Sequence, residues 1–336
     1  MEKKENRKIK QPPVLFSKTQ QAIAKIEKIL GKSLVVYWTS YNGSVCDNDV
    51  IALYNIFEKI GRHDDIALFI KSRGGDIEAA LRLVNILRTY NKKITALVPL
   101  EAASSATLIA LGADEIKMGP LAHLTPIDSS LTHNLSPIDE INHRKVPVSQ
   151  DEIFRIVRLW QENANENHVH PYQELFKYIH PLVIGALDRS SSLSIKICKE
   201  ILSYHVSDEA TCDNISHILN SQFPSHGYPI TLNEANKIGL KAQALDDALN
   251  DQLLELSRLY SEMAQKAFTD FDEFNYHDNQ ILNIHESDGI QIYFQNDKDW
   301  NYIKEERRWQ VLNDESIWRK NEISAGKIVN SILHIA

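Results

Sequence analysis

Ala67-Leu68-Phe69-Ile70-Lys71-Ser72-Arg73-Gly74-Gly75-Asp76 opens the stretch, residues 67–128, whose reading decides the fold. Ala67–Ile70 is a short, wholly apolar run, the pattern of a strand buried on both faces. It ends at Gly74-Gly75, where a backbone can turn sharply and expose its N–H groups. A helix is expected over Ile77–Tyr90, with Ala80, Leu83, Val84 and Leu87 on one face. A second strand, Ile94–Val98, leads to Ala102-Ala103-Ser104-Ser105-Ala106-Thr107, small residues and two serines opening another apolar helix. Right-handed crossovers bring the C-terminal ends of both strands to one edge of a parallel sheet. Backbone donors and a serine hydroxyl meet at that edge.

This order of motifs resembles the Clp/crotonase superfamily of serine peptidases, and more closely the serine dehydrogenase proteinases, relatives of signal peptide peptidase A. The residues that carry the resemblance are Gly74-Gly75, Ser104 within 103–116, Met118-Gly119 and Leu124-Thr125-Pro126-Ile127-Asp128. Later matches are His180-Pro181-Leu182 with Gly185 and Arg189, His226-Gly227-Tyr228-Pro229-Ile230, Glu234-Ala235 and Gly239-Leu240. Together they span residues 30 to 245. The resemblance implies an α/β fold, a Clp/crotonase-like parallel sheet spiral covered by helices. It also implies a serine endopeptidase that needs no ATP by itself, and self-association into a homo-oligomer.

Around this stretch the chain is ordinary for a water-soluble globular protein, 336 residues with 43% hydrophobic and 24% charged residues,. The net charge of −8 argues against a nucleic-acid-binding face,. Cys46, Cys198 and Cys212 are odd in number and far apart, without disulfide or zinc spacing,. That usage fits a reducing compartment, and a cytoplasmic location is expected. Cys46 has no evident partner for nucleophilic work and reads as a structural thiol. Residues 1–13 are polar, with Lys3, Lys4, Arg7, Lys8 and Lys10, and lack the apolar core of a secretory signal,. They read as a solvated tail, with a peripheral membrane contact as the alternative. The longest apolar run, Ala106–Ala113, is too short to span a bilayer, which takes about 20 residues.

Three parts are expected: a tail and lead-in helix (1–30), the peptidase domain (31–245), and a helical C-terminal extension (246–336). Helices are expected at Gln20–Leu30, Asp47–Ile60, Gln150–Glu166, Tyr172–Leu187, Ser194–Tyr204, Ser207–Leu219, Leu232–Leu240 and Ala248–Lys266. Ser207 is the expected cap of its helix, and Leu34–Trp38 is a further strand. Pro120–Val148, with four prolines, is irregular and borders the active site in a peptidase of this class,. After Phe268 the composition turns to Asp, Asn and aromatic residues, without an assignable role.

Amide hydrolysis through an acyl-enzyme needs a nucleophile, a proton acceptor and donors for the developing oxyanion. The resemblance makes Ser104 the nucleophile, with Ser105 as its rival. Alternatively, the two serines merely cap a helix. The family more often has Ser-Ala-Gly-Thr, so Ala106 departs from it by one methyl and no catalytic atom. The oxyanion donors are then the N–H groups of Gly75 and Ser105, with Asp76 as alternative and Gly74 in support. Clp-type enzymes use a histidine near the position that Pro126 occupies here. The relatives of signal peptide peptidase A use a Ser–Lys dyad instead. Lys145, 41 residues after Ser104, matches that layout. A lysine acts as base only when burial or a positive neighbour lowers its pKa from about 10.4, and Arg144 is such a neighbour. His123, His133 and His143 are the other candidates. Asp128 either organises the site or makes a turn.

Arg73 beside the hole is either an anion holder or a solvated charge. His168 and His170 lack a third ligand, and Gly61-Arg62-His63-Asp64 is no phosphate loop, so neither metal nor cofactor is expected. The partner expected is a peptide or protein substrate. Two other classes remain open: a catalytically inactive Clp-fold protein that binds peptides or serves as a scaffold, and a crotonase-like acyl-CoA enzyme. Ser104 speaks against the second, since a crotonase needs no serine there.

Overall fold

The computed structural model describes residues 8–128, 130–139, 145–162 and 170–335. His143, Arg144, His168 and the first basic residues of the tail lie outside them. The first half alternates helix and strand: α1 (Phe16–Leu30), β1 (Ser33–Thr39), α2 (Asp47–Ile60), β2 (His63–Lys71), α3 (Ile77–Tyr90), β3 (Asn91–Val98), β4 (Glu101–Ala102), α4 (Ser105–Leu111) and β5 (Glu115–Met118). Short strands β6 (His123–Leu124), β7 (Ser130–Leu131) and β8 (Val148–Ser149) follow. Then come α5 (Gln150–Glu162), α6 (Pro171–Leu175), α7 (Pro181–Ser203), α8 (Glu209–Ser221), α9 (Leu232–Lys237), β9 (Ala242–Ala244) and α10 (Asp247–Met263). The chain ends in strands: β10 (Ala267–Asp270), β11 (Asn275–Ser287), β12 (Ile290–Ile303), β13 (Arg308–Asp314), β14 (Ile317–Ser324) and β15 (Lys327–Ile332).

One 11-stranded sheet runs β15-β14-β12-β11-β1-β2-β3-β5-β9, with β10 on β11 and β13 on β12. From β1 to β9 neighbouring strands are parallel. Alternate residues of β1 and β2 serve opposite faces. Val35, Tyr37, Ile66, Leu68 and Ile70 pack with α2, α3, α4, α7 and α8. Val36, Trp38, Ala67 and Phe69 pack with α1 and α10. That two-sided cover is why β2 reads as a continuous apolar run.

The C-terminal extension departs from expectation. Only α10 is helical; the rest is mostly strand, and β11 pairs antiparallel with β1, Val36 opposite Glu286. The extension therefore continues the same sheet. Two smaller differences have local causes. His180-Pro181 starts a single helix through Ser203, because Pro is suited to the first helical position and the His180 ring accepts the Leu182 N–H,. Asp208, not Ser207, caps α8 by accepting the Thr211 N–H at 3.0 Å,.

Candidate active site

The C-terminal ends of β2 and β3 converge as their apolar runs require. Ser72 bridges Ala102, donating its N–H to Glu101 O (3.0 Å) and accepting from Ala103 N (2.9 Å). Gly74-Gly75 then passes beside Val45: Val45 N donates to Gly74 O and Asp76 N to Val45 O. Gly74 has φ +96°, and a Cβ there would come 2.8 Å from Ser104 Cβ and 3.0 Å from Ser105 N. A Cβ on Gly75 would run into the Val45 backbone. Close approach to the serine turn thus demands glycine at 74, and close approach to Val45 demands it at 75.

Ser104 stands just before α4 with φ 52° and ψ −123°, a conformation costly for a residue with a side chain, on the order of 1–3 kcal/mol,. Neighbouring bonds hold it there. Its N–H donates to Thr125 Oγ1 at 2.7 Å, and its carbonyl accepts from Thr107 N at 2.8 Å. Thr107 Oγ1 reaches Ala102 O and Thr125 O and accepts the Thr125 N–H, so the two threonines clasp the turn. The Ser104 side chain makes no capping bond and is half-buried, whereas Ser105 is fully buried with an unpartnered Oγ. Of the two serines, Ser104 is the one within reach of a substrate.

The donors sort themselves in the same way. Gly74 N–H goes to Ser72 Oγ, Asp76 N–H to Val45 O and Ser104 N–H to Thr125 Oγ1. The Asp76 carboxylate caps α3 through Ala79 N. Among the described residues no acceptor meets the N–H of Gly75 or of Ser105. These two unspent donors flank the Ser104 turn, which is the arrangement an oxyanion hole requires.

The remaining candidates lie as follows. Lys145 is exposed and donates Nζ to Asn134 Oδ1 at 2.8 Å; among the described residues no hydrogen bond joins it to Ser104. His123 lies in β6, paired with Glu101, and His133 Nδ1 accepts the Leu135 N–H within its own turn. Arg73 stacks over the Tyr41 ring at 4.5 Å. Burial pushes the Cys46 thiol up to about 11, which leaves it protonated and a poor nucleophile,. Among the described residues no group of three or more His, Cys, Asp or Glu can hold a metal ion, and no helix is long and apolar enough to cross a membrane.

Asp128 gains a partner that sequence spacing does not reveal: its Oδ1 lies 2.9 Å from His226 Nδ1, 98 residues along the chain. That hydrogen bond, partly offset by burial, raises the His226 pKa. The only sequence signal was the reverse-direction motif His226–Ile230, whose Ile230 pairs antiparallel with Leu124 and so brings His226 opposite Asp128.

Comparison with known proteins finds several similar chains. Two uncharacterized proteins of Methanocaldococcus jannaschii are similar: one is 25% identical over 207 residues, 61% of this chain and 61% of its own length. The other is 26% identical over 192 residues, 57% of this chain and 56% of its own. The chain thus spans about three-fifths of the length of these curated relatives. Among solved structures, a mutant of the 1510-N membrane-bound stomatin-specific protease aligns over 70% of this chain and 87% of its own, at 15% identity and a TM-score of 0.40. ClpP1 from Listeria monocytogenes aligns over 70% and 99%, at 14% identity and a TM-score of 0.37. Residues 52–167, which include the Gly-Gly turn, both serines and Lys145, match the ClpP-like SDH-type serine proteinase family.

Proposed function

We propose that the protein is a serine peptidase in which Ser104 attacks the scissile carbonyl of a bound peptide or protein. The Gly75 and Ser105 N–H groups take the oxyanion, and Lys145 is the base. The observation that carries this reading is the pair of unspent backbone donors beside an accessible serine held in a strained turn. In the cycle, the Ser104 hydroxyl proton passes to the Lys145 amine as the C–O bond forms. The amine returns that proton to the leaving nitrogen as the C–N bond breaks, and a water activated by Lys145 then releases the acyl group. To serve, Lys145 must exchange Asn134 for the Ser104 hydroxyl and lose its water. Gly74 shapes the turn, and Asp128 supports the adjoining strand through His226. The working form is a homo-oligomer, as the family resemblance implies.

The test is peptide hydrolysis together with labelling by a serine-reactive fluorophosphonate. Ser104→Ala abolishes both, a loss of about 10⁴-fold or more in turnover. Lys145→Ala abolishes turnover, and Ser105→Ala only weakens it. A wild-type protein inert to varied peptides and to the probe would replace this reading with the peptide-binding scaffold.

A further inference from the structure

The segment that holds Ser104 leads directly into a cavity that the catalytic reading leaves unused. From Thr125 the chain continues to Asp128, fastened on the way by Ile127: its N–H donates to Leu219 O (3.0 Å) and its carbonyl accepts from Ser194 Oγ (2.7 Å). α7 and α8 are thereby locked beneath the segment. One turn from Ser194 and one residue from Leu219, they present Ser191 and Asn220 to a cavity of about 700 Å³. Asp128, Phe154, Arg155 and Arg158 are among the other residues that line it.

The chemistry of the lining is selective. Asn220 is only 7% exposed, donates Nδ2 to Ser191 Oγ at 2.8 Å, and leaves its buried Oδ1 without a partner. Such a buried oxygen is costly unless a donor reaches it. Arg155, already engaged within the chain, and Arg158, at i and i+3, lie on neighbouring positions of α5,. Arg158 holds Glu162 loosely, 3.7 Å apart and with both side chains exposed, a pair that a bidentate carboxylate can displace,. Among the described lining residues the one carboxylate, Asp128, is already engaged by His226. Phe154, half exposed at the mouth, offers an apolar surface to a short methylene stem. A peptide residue with an acidic side chain supplies both an anion for the guanidinium groups and a backbone N–H for Asn220.

We propose that this cavity is the subsite for an aspartate or glutamate of the peptide substrate, and so sets the specificity of the Ser104 site. The proposal rests on the peptidase reading, and the experiment separates the two. A randomised peptide pool is digested and the products sequenced. Asp and Glu are enriched at one fixed position from the cleaved bond, and Arg155→Gln/Arg158→Gln removes the enrichment. That double variant lowers kcat/KM for the acidic peptide roughly tenfold to a hundredfold and leaves its Gln counterpart unchanged. Arg158→Glu shifts the preference toward a Lys-containing peptide, which a merely misfolded variant cannot do. Binding is read in parallel by fluorescence anisotropy on Ser104→Ala with labelled Glu and Gln peptides. Absence of cleavage with tighter Glu binding removes the peptidase reading and keeps the subsite. Equal binding of the two peptides, or enrichment that survives in the double variant, overturns the subsite.

Discussion

In β1, β2 and β3 the side chains sealed inside the sheet layers are mostly apolar, such as Val35, Phe69, Ile70 and Leu97; in β11, β12 and β14 they include His285, Glu286, Gln291 and Asn321 beside Ile284, Ile292 and Trp318. Both halves belong to one sheet, yet they are held in different ways. The parallel half is dry, and its stability is area removed from water, about 25 cal/mol per Å². The antiparallel half buries polar groups that satisfy one another. Glu286 accepts from Thr19, Gln20 and Gln291, and Asn321 Nδ2 donates to Gln291 Oε1 at 3.1 Å. Gln295 donates to Asn279 and accepts from Arg319. A dry strand can slip by two residues and still bury apolar groups. A strand of paired amides loses its partners when it slips, so the second half is specified by hydrogen bonds as well as by hydrophobicity.

The seam between the halves is where the largest stability effect is expected. Asp49, fully buried on α2, accepts from Tyr37 OH (2.6 Å), Asn283 Nδ2 (2.7 Å) and Cys46 N (2.9 Å), and faces His285 Nε2 at 2.9 Å. Asp49→Ala strands all of them and is expected to cost about 3–5 kcal/mol, read from urea or thermal unfolding. A loss below about 1 kcal/mol would mean that the seam carries no special weight.

Next comes a pH effect confined to the wet half. Burial pushes Glu286 up to about 7, against the usual 4.5, with the Thr19, Gln291 and Gln20 donors pulling the other way. The folded state therefore keeps a proton that the unfolded chain has released. The stabilisation is complete below about pH 4.5 and is lost as pH rises through about 7,. Relative to Glu286→Gln, the wild type is expected to lose on the order of 3 kcal/mol between pH 4.5 and 8. Parallel urea curves for the two proteins at these pH values would contradict it.

The smallest effect sharpens the comparison from the other side, because the dry half uses side-chain hydrogen bonds to hold the Ser104 turn. Thr125→Val removes the acceptor of the Ser104 N–H. On the proposed peptidase reading it is expected to lower kcat about tenfold with KM nearly unchanged, while Thr125→Ser restores it. An unaltered kcat would take Thr125 out of the positioning role.

The same contrast explains what could be read from the chain. The α2 and α3 spans, Asp47–Ile60 and Ile77–Tyr90, are legible to the residue because their apolar positions recur at helical spacing,. The C-terminal strands are not. In β11 the buried positions include His277 and Asn279, so hydropathy shows no period of two, and a bulge between Ile281 and Asn283 shifts the phase,. At the site, Gly74-Gly75 and Ser104 stand out as motifs. The unspent state of the Gly75 and Ser105 N–H groups does not, since it depends on which neighbours are consumed by Val45 and Thr125. The His226–Asp128 contact and the Thr107–Thr125 clasp join residues whose separation carries no periodic signal.

The link from Asn283 to the segment beside Gly75 has a consequence in time. Asn283 Nδ2 donates to Ser44 O, 239 residues earlier, and Ser44 precedes the Val45 strap against which Gly75 lies. A ribosome making this chain completes the serine turn and both glycines long before it reaches Asn283. Until then the strap lacks its backing, and closing so long a loop is slow. The nascent protein is thus expected to acquire a fully braced Gly74-Gly75 corner only after Asn283 has been made.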